Sequence, residues 1–396
     1  MPNVPMSCPD ITDVEISAVN QVLQTPSLSI GPQIVAFEKA VASFVGSRHA
    51  IGINSGTSGL HLAVIAAGVQ ENDLVITTPF SFIASANVVL YERAIPIFVD
   101  VDPKTGNIDP VLVAECANDL SQGDSAAKKW LPPSIRNQKS EIRNLKCLLP
   151  VHAYGQPADM DPILAVARQH NLSVIEDACE AIGAEYKGCK AGTFSDAAVF
   201  AFYPNKQVTT GEGGMIVTNR DDWDVLFRSL RNQGRDVFDG WLNHTRLGYN
   251  YRLDEMSAAL GLAQIQRIDE LLAKRAQVAQ WYNERLANQE LVQVPYIAPN
   301  TTCMSWFVYV VRIKPPAQRE QVRGHLEAQG IPSRPYFTPI HLQPFYRERF
   351  GYQPGDFPVT EYLGDVSLAL PFSGVMTETQ VDYVCECLLR SVRLAL

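Results

Sequence analysis

The stretch FAFYPNKQVTTGEGGM, residues 200–215, runs an apolar strand out to a single lysine, Lys206, in a tight Pro-Asn-Lys-Gln turn. A lysine carried at the end of a buried strand is aimed into a cleft, where it can lose its proton and form a Schiff base. A second segment, LSVIEDACEAIGA (172–184), sets two acids, Glu176 and Asp177, directly after another apolar strand. Such a carboxylate can cap the following helix, or it can stand against a ring nitrogen and keep a pyridinium protonated as an electron sink. A third segment, NSGTSGL (54–60), brings glycines and small hydroxyls to a helix amino terminus. Free N–H groups and the helix dipole there favour a phosphate. No Gly-Lys-Ser/Thr follows, so this is not a P-loop.

Each segment also has a plain structural reading. Lys206 could be a solvated loop lysine like Lys187 and Lys190 in YKGCKAG, and the other two segments could be ordinary helix caps. Their order along the chain argues for more. Pyridoxal 5'-phosphate (PLP) needs a phosphate loop, an acid and a lysine in one cleft, and the three segments supply them in turn. The Thr-Thr-Gly-Glu-Gly-Gly after Lys206 then lets backbone pass close to cofactor and substrate.

The elements that must position these residues alternate between two periods. From about 34 to 250, QIVAFEKAVASFVG and PILAVARQH have helical apolar spacing. TSGLHLAVIAAGV reads as a buried helix with Thr57 and Ser58 as N-caps. Between the helices lie short apolar runs, among them DLVITT, IPIFVDV, KCLLPVH, LSVIED, AAVFAFY and GGMIVTN. They suit strands buried on both faces of a mainly parallel sheet, which makes this region an α/β layered domain. Open parallel sheets bind ligands at the carboxyl ends of their strands, where Asp177 and Lys206 fall. After 250 a long helical stretch from Asp254 to Leu286 leads to a strand, SWFVYVVRIK, then a helix ended by Gly330 and a last helix, TETQVDYVCECLLRSVRLAL. This is a smaller α+β domain, so the expected division is 1–250 and 251–396. Residues 121–146, polar and charged with two prolines, read as a surface insertion.

Composition narrows the function classes. The 396 residues are 46% apolar and 19% charged, as in a globular enzyme. A net charge of −9 argues against nucleic acid as a partner. The eight cysteines form neither a Cys-x-x-Cys pair nor a pattern with histidines, which points to reduced thiols, no metal site and a cytoplasmic protein. There is no signal-peptide pattern and no apolar run of the roughly 18 residues that span a bilayer, so no membrane partner is expected.

The block VIEDACEAIGAEYKGCKAGTFSDAAVFAFYPNKQVTTGEGGMIVTN resembles the DegT/StrS family of PLP-dependent nucleotide-sugar aminotransferases. So do INSGTSGLHLA, FSFIASANVVLYERAIPIFVDVD, PVHAYGQPADMDPI, LGYNYRLDEMSAALGLAQI and PYFTPIHLQPFY, in the family's order over roughly 25–345. The resemblance implies the three-layer aspartate-aminotransferase fold (fold type I) and a homodimer with shared active sites. By the same resemblance Lys206 is the Schiff-base lysine and proton shuttle, and Asp177 is the acid paired with the pyridine nitrogen. Phe82 stacks on the cofactor ring, and Gly56 and Thr57 form the phosphate turn. Asn250 reaches the phosphate from the neighbouring subunit, and Glu180 lies near the cofactor's phenolic oxygen. Ser29, Gly31, Tyr336 and His341 match regions lining the sugar-nucleotide site. The chain departs from the pattern at Ala201, where a phosphate-binding serine is common, and at Glu180, where many members have glutamine or histidine.

The activity implied is transfer of an amino group from L-glutamate to a keto-sugar of a nucleoside-diphosphate sugar. The TTGEGG loop resembles members that aminate the 4-position, which favours a 4-keto-6-deoxy hexose. Same-fold alternatives are amination at the 3-position or of a cyclitol or other non-nucleotide ketone; a further alternative, from another class, is a non-catalytic PLP-binding regulator. Lys206 speaks against the dehydratase branch, which replaces it by histidine.

Overall fold

The computed structural model describes residues 3–136, 144–236 and 243–396. In the first two thirds of the chain the apolar runs form β1 (His49–Ile53), β2 (Leu74–Thr77), β3 (Ile95–Phe98), β4 (Leu145–Leu148), β5 (Ser173–Asp177), β6 (Glu185–Tyr186), β7 (Cys189–Lys190), β8 (Ala197–Ala201) and β9 (Gly214–Thr218). Seven of them make one sheet in the order β1-β9-β8-β5-β4-β2-β3. The pairs from β8 to β3 are parallel, and β9 runs antiparallel to both of its neighbours. The fold is therefore α/β with a mainly parallel sheet.

Side-chain alternation along each strand feeds both faces of that sheet. In β8, Val199 joins a core with Leu60, Val88 and Phe227, whereas Ala198 and Phe200 join one with Phe37, Val41 and Ile265. The first core is covered by helices Gly56–Ala66, Ala84–Tyr91 and Asp221–Arg231, the second by Pro32–Val45 and Glu255–Gln266. Three layers result. Each fully buried Phe or Val contributes about 1.5–3 kcal/mol, which fixes the strand register and hence the strand ends.

Beyond residue 250 the chain adds β10 (Val292–Gln293), β11 (Thr301–Cys303), β12 (Tyr309–Ile313), β13 (Arg334–Pro335) and β14 (Ser367–Leu370). An antiparallel sheet, β10-β12-β14-β13, packs on helices Ile268–Leu286, Arg319–Ala328 and Glu378–Leu394. The amino-terminal Val4 belongs to that same core, and β11 pairs with β6 of the large sheet's region. Among the described residues no helix is long and apolar enough to cross a membrane, and no cluster of metal-ligating side chains occurs.

Several local expectations change. The stretch from Asp254 to Leu286 is two helices, parted at Arg267, whose backbone leaves helical values. The helix expected to be capped by Thr57 and Ser58 starts earlier, because Ser55 Oγ accepts the Ser58 N–H at 3.1 Å. Only the second half of SWFVYVVRIK is strand. Within 121–146, the helix Pro110–Gln122 extends to the start of the stretch and a short helix covers Asp124–Lys128. Leu131 is buried and Trp130 Nε1–H donates to Asp119 at 2.8 Å, so this part is packed rather than a free insertion. Residues 137–143 of it lie outside the described residues.

Candidate active site

Strand β5 ends in the two acids, and alternation sends them to different places. Glu176 is fully buried and accepts hydrogen bonds from the Gly192, Phe194 and Ser195 amides, the Ser195 hydroxyl and His152. The Ala158 N–H donates to His152 Nδ1, so His152 Nε2 carries the proton given to Glu176 at 2.9 Å. Burial alone would raise the Glu176 carboxyl, but the bonds from His152, Ser195 and Gly192 hold it below the ordinary carboxylate range. Glu176 is thus a structural anchor for the 192–195 turn. Asp177 faces the opposite way, into a cavity at the carboxyl ends of the strands. Its Oδ2 accepts the Ser85 hydroxyl at 2.8 Å and its Oδ1 accepts the Cys179 N–H at 3.2 Å.

Strand β8 ends at Ala201, and a turn closed by the Lys206 N–H to the Tyr203 carbonyl at 2.9 Å follows. The turn projects Lys206 into the same cavity. Its side chain is 13% exposed, with Nζ 3.5 Å from Glu180 Oε1 and 3.7 Å from the centroid of the Phe307 ring. Lys206 is therefore not a solvated loop lysine. Burial raises the Glu180 carboxyl above its ordinary value, against the pull of the Lys206 charge and the Tyr154 N–H that donates to Oε2 at 2.8 Å.

The third wall is the start of the helix Gly56–Ala66, where the first-turn amides lack intrahelical acceptors. A side chain on Gly56 would place its Cβ 2.8 Å from both Ala201 Cβ and Cys179 Sγ. The helix end can approach the strands this closely only without one. The glycines after Lys206 have matching reasons. Gly211 has φ +81°, and a Cβ on Gly214 would lie 2.9 Å from the Gly56 amide nitrogen. Ala201 lines the cavity against Gly56 and offers no hydroxyl there.

The cavity encloses about 690 Å³, within the usual range for a cofactor or substrate site. Its walls unite Gly56, Thr57, Phe82, Asp177, Glu180 and Lys206 with Tyr336. Phe82 is 66% exposed on that wall. Other expected residues lie elsewhere. Gly31 starts the helix Pro32–Val45, where Glu255 accepts the Gly31, Gln33 and Ile34 amides, and Ser29 bridges to Asp254. Asn250 bridges to Asn232. All three lie off this chain's own cavity wall. His341 is also off it. Its imidazole is fully buried, with Nε2 3.0 Å from Glu361 Oε1, because the Phe357 and Tyr352 rings pack against it. In this chain His341 is tied through Glu361 to the 355–357 segment, since Glu361 accepts the Gly355 and Phe357 amides.

Three residues were not picked out from sequence. Ser85 holds Asp177, Phe307 carries the Lys206 ammonium on its ring face, and Tyr154 serves Glu180 through its amide and Tyr336 through its hydroxyl. Only Ser85 left a usable signal, since it stands one helical turn beyond Phe82 in FSFIASAN. The donor set fits PLP: a glycine cradle with free amides, an aimed carboxylate and a sheltered amine share one cavity.

The sequence profile of the DegT/DnrJ/EryC1/StrS aminotransferase family matches residues 9–389. The chain is 41% identical over 392 residues to the GDP-perosamine synthase of Caulobacter vibrioides, covering 98% of each. It is 34% identical to the GDP-perosamine synthase of Escherichia coli, again over 98% of each. The solved structure of S. venezuelae DesV superposes with a TM-score of 0.85 at 30% identity, covering 98% of both chains. With this site and these matches, the chain belongs to the DegT/DnrJ/EryC1/StrS aminotransferase family and is a PLP-dependent sugar aminotransferase.

Proposed function

We propose that the protein transfers an amino group from L-glutamate to C4 of a GDP-linked 4-keto-6-deoxy hexose. The observation that carries this reading is the single cavity that joins Lys206, Asp177 and the Gly56 helix start to the Glu212–Gly213 loop and Tyr336. The named product of two full-length relatives, a GDP-linked amino sugar, supports the nucleotide. The Thr-Thr-Gly-Glu-Gly-Gly loop supports the 4-position.

PLP, when bound, supplies the electron sink that lets the amine leave one carbon and join another. Lys206 Nζ takes the proton from the donor's α-carbon and returns one to the sugar carbon as the general acid. Asp177, oriented by Ser85, would hold the proton on the ring nitrogen of the bound cofactor. Phe82 would support the ring, the Gly56 and Thr57 amides would hold the phosphate, and Glu180 would lie on the cofactor's polar side. Tyr336 and the 29–31 loop contact the sugar nucleotide, and Asn250 serves the phosphate of the neighbouring subunit. A homodimer with shared sites belongs to this reading. It is supported by exposed apolar side chains at Phe82, Ile30 and Leu247, the last 83% exposed. The free cysteines support a reducing, cytoplasmic setting.

A panel of keto-sugar nucleotides, offered with L-glutamate and read by 2-oxoglutarate release, tests the proposal. The expected result is turnover with the GDP-linked 4-keto-6-deoxy hexose. Turnover only with a 3-keto sugar or with a non-nucleotide ketone would refute it.

A further inference from the structure

The helix Ile268–Leu286 places one arginine, Arg275, beneath the turn that carries Lys206. Arg275 is 4% exposed. Its Nη2 donates to the Asn205 carbonyl at 2.8 Å and to the Lys206 carbonyl at 3.0 Å. The guanidinium also lies 5.5 Å from the centroid of the Phe372 ring. Among the described residues it has no carboxylate partner, and Nη1 has no hydrogen-bond partner. Asp10 lines the same small cavity, but its two oxygens go to Arg267 and Lys274. Burial without a counter-charge lowers the Arg275 pKa to about 10.

A buried cation of this kind is costly unless its bonds do something that an apolar side chain cannot. Here the bonds fall on two consecutive carbonyls, one of them the carbonyl of Lys206 itself. The opposite side of the turn is already fixed. Gln207 Nε2 donates to the Glu180 carbonyl at 2.6 Å and to Ser305 Oγ at 2.8 Å. Arg275 completes the grip from the carboxyl-terminal region of the chain.

We propose that Arg275 is a positioning residue for the transfer reaction: its guanidinium clamps the Asn205 and Lys206 carbonyls and so aims the Lys206 amine into the cavity. The proposal rests on the reading that Lys206 is the reacting lysine. Misplacement of a catalytic group by about 1 Å costs on the order of 100-fold. Replacing the clamp should therefore act on kcat rather than on donor binding.

The test uses Arg275→Met and Arg275→Lys in the full chain. In the holoenzyme, Arg275→Met is expected to lower kcat with L-glutamate by about 10–100-fold and leave KM within about threefold. Arg275→Lys, which keeps the charge and one donor, is expected to recover part of that loss. In the cofactor-free protein, hydrogen exchange should quicken in the peptide covering 203–210 and stay unchanged in the 378–394 helix. This readout holds whatever the substrate is, so it separates failure of the clamp from failure of the functional reading. Unchanged kcat, unchanged exchange at 203–210, or faster exchange throughout the chain would each overturn the proposal. If Arg275→Met does not fold, Arg275→Lys alone decides: kcat falls at unchanged KM, or a wild-type kcat in the folded variant refutes the clamp.

Discussion

At the scale of single residues, the site is a lesson in what adjacent acids can do. Glu176 and Asp177 are neighbours of the same charge, yet one is bound by five donors in the interior and the other faces the cavity. The strand's two-residue period makes that division, so both acids were readable as candidates and only the sheet's orientation separates them. Lys206 was legible because it ends an apolar strand. Phe307 was not, because its contact joins distant parts of the chain, and Ser85 was marked only by its spacing from Phe82; its partner Asp177 is 92 positions away. Glu180 gives a pH prediction. Its folded-state pKa is raised by burial, so its contribution to stability is full below the ordinary carboxylate value and is lost as pH rises through the raised value. Glu180→Gln removes that titration. In cofactor-free protein the melting temperature of the variant, minus that of wild type, should climb between pH 4 and 8. A flat difference would contradict the burial argument.

At the scale of elements, the site depends on how closely helix ends approach strand ends. The hydrophobic periods announced most helices and strands, but their ends were set by caps that periodicity does not encode. Ser55 rather than Thr57 caps the helix Gly56–Ala66, and Arg267 breaks what reads as one long helix. Gly56→Ala pushes a methyl group against Ala201 and Cys179, and overpacking of this kind should cost about 1–3 kcal/mol in denaturant unfolding. Wild-type stability in that variant would mean the helix end can retreat. Glu255 satisfies three amides at the start of the helix Pro32–Val45. Glu255→Ala should lower stability by about 1–3 kcal/mol and also loosen the 29–31 loop. The KM for the sugar nucleotide should then rise while that for L-glutamate stays unaltered. Steady-state kinetics with each substrate varied in turn would check this.

At the scale of the whole molecule, the chain brings segments hundreds of residues apart to one cleft. The strand ends of the large sheet supply Asp177 and the turn that carries Lys206, the carboxyl-terminal region supplies Phe307 and Tyr336, and Arg275 holds the Lys206 turn from outside the cavity wall. The α/β layering was legible from the alternation of helical and strand periods, and beyond residue 250 the chain adds an antiparallel sheet packed on helices. The closing of one on the other was not, since it rests on long-range contacts such as the Gln207–Ser305 bond. The exposed apolar side chains of Ile30 and Leu247 support the homodimer reading at this same scale. The central claim is that this cleft moves nitrogen from an amino acid to a sugar through Lys206. Its most direct test is to supply ¹⁵N-labelled L-glutamate and the GDP-linked 4-keto-6-deoxy hexose and follow the product by NMR. The expected result is ¹⁵N bonded to C4 of the sugar with wild-type enzyme and a rate lower by about 100–10,000-fold with Lys206→Ala. Label at another carbon, or undiminished transfer by the Lys206→Ala protein, would contradict it.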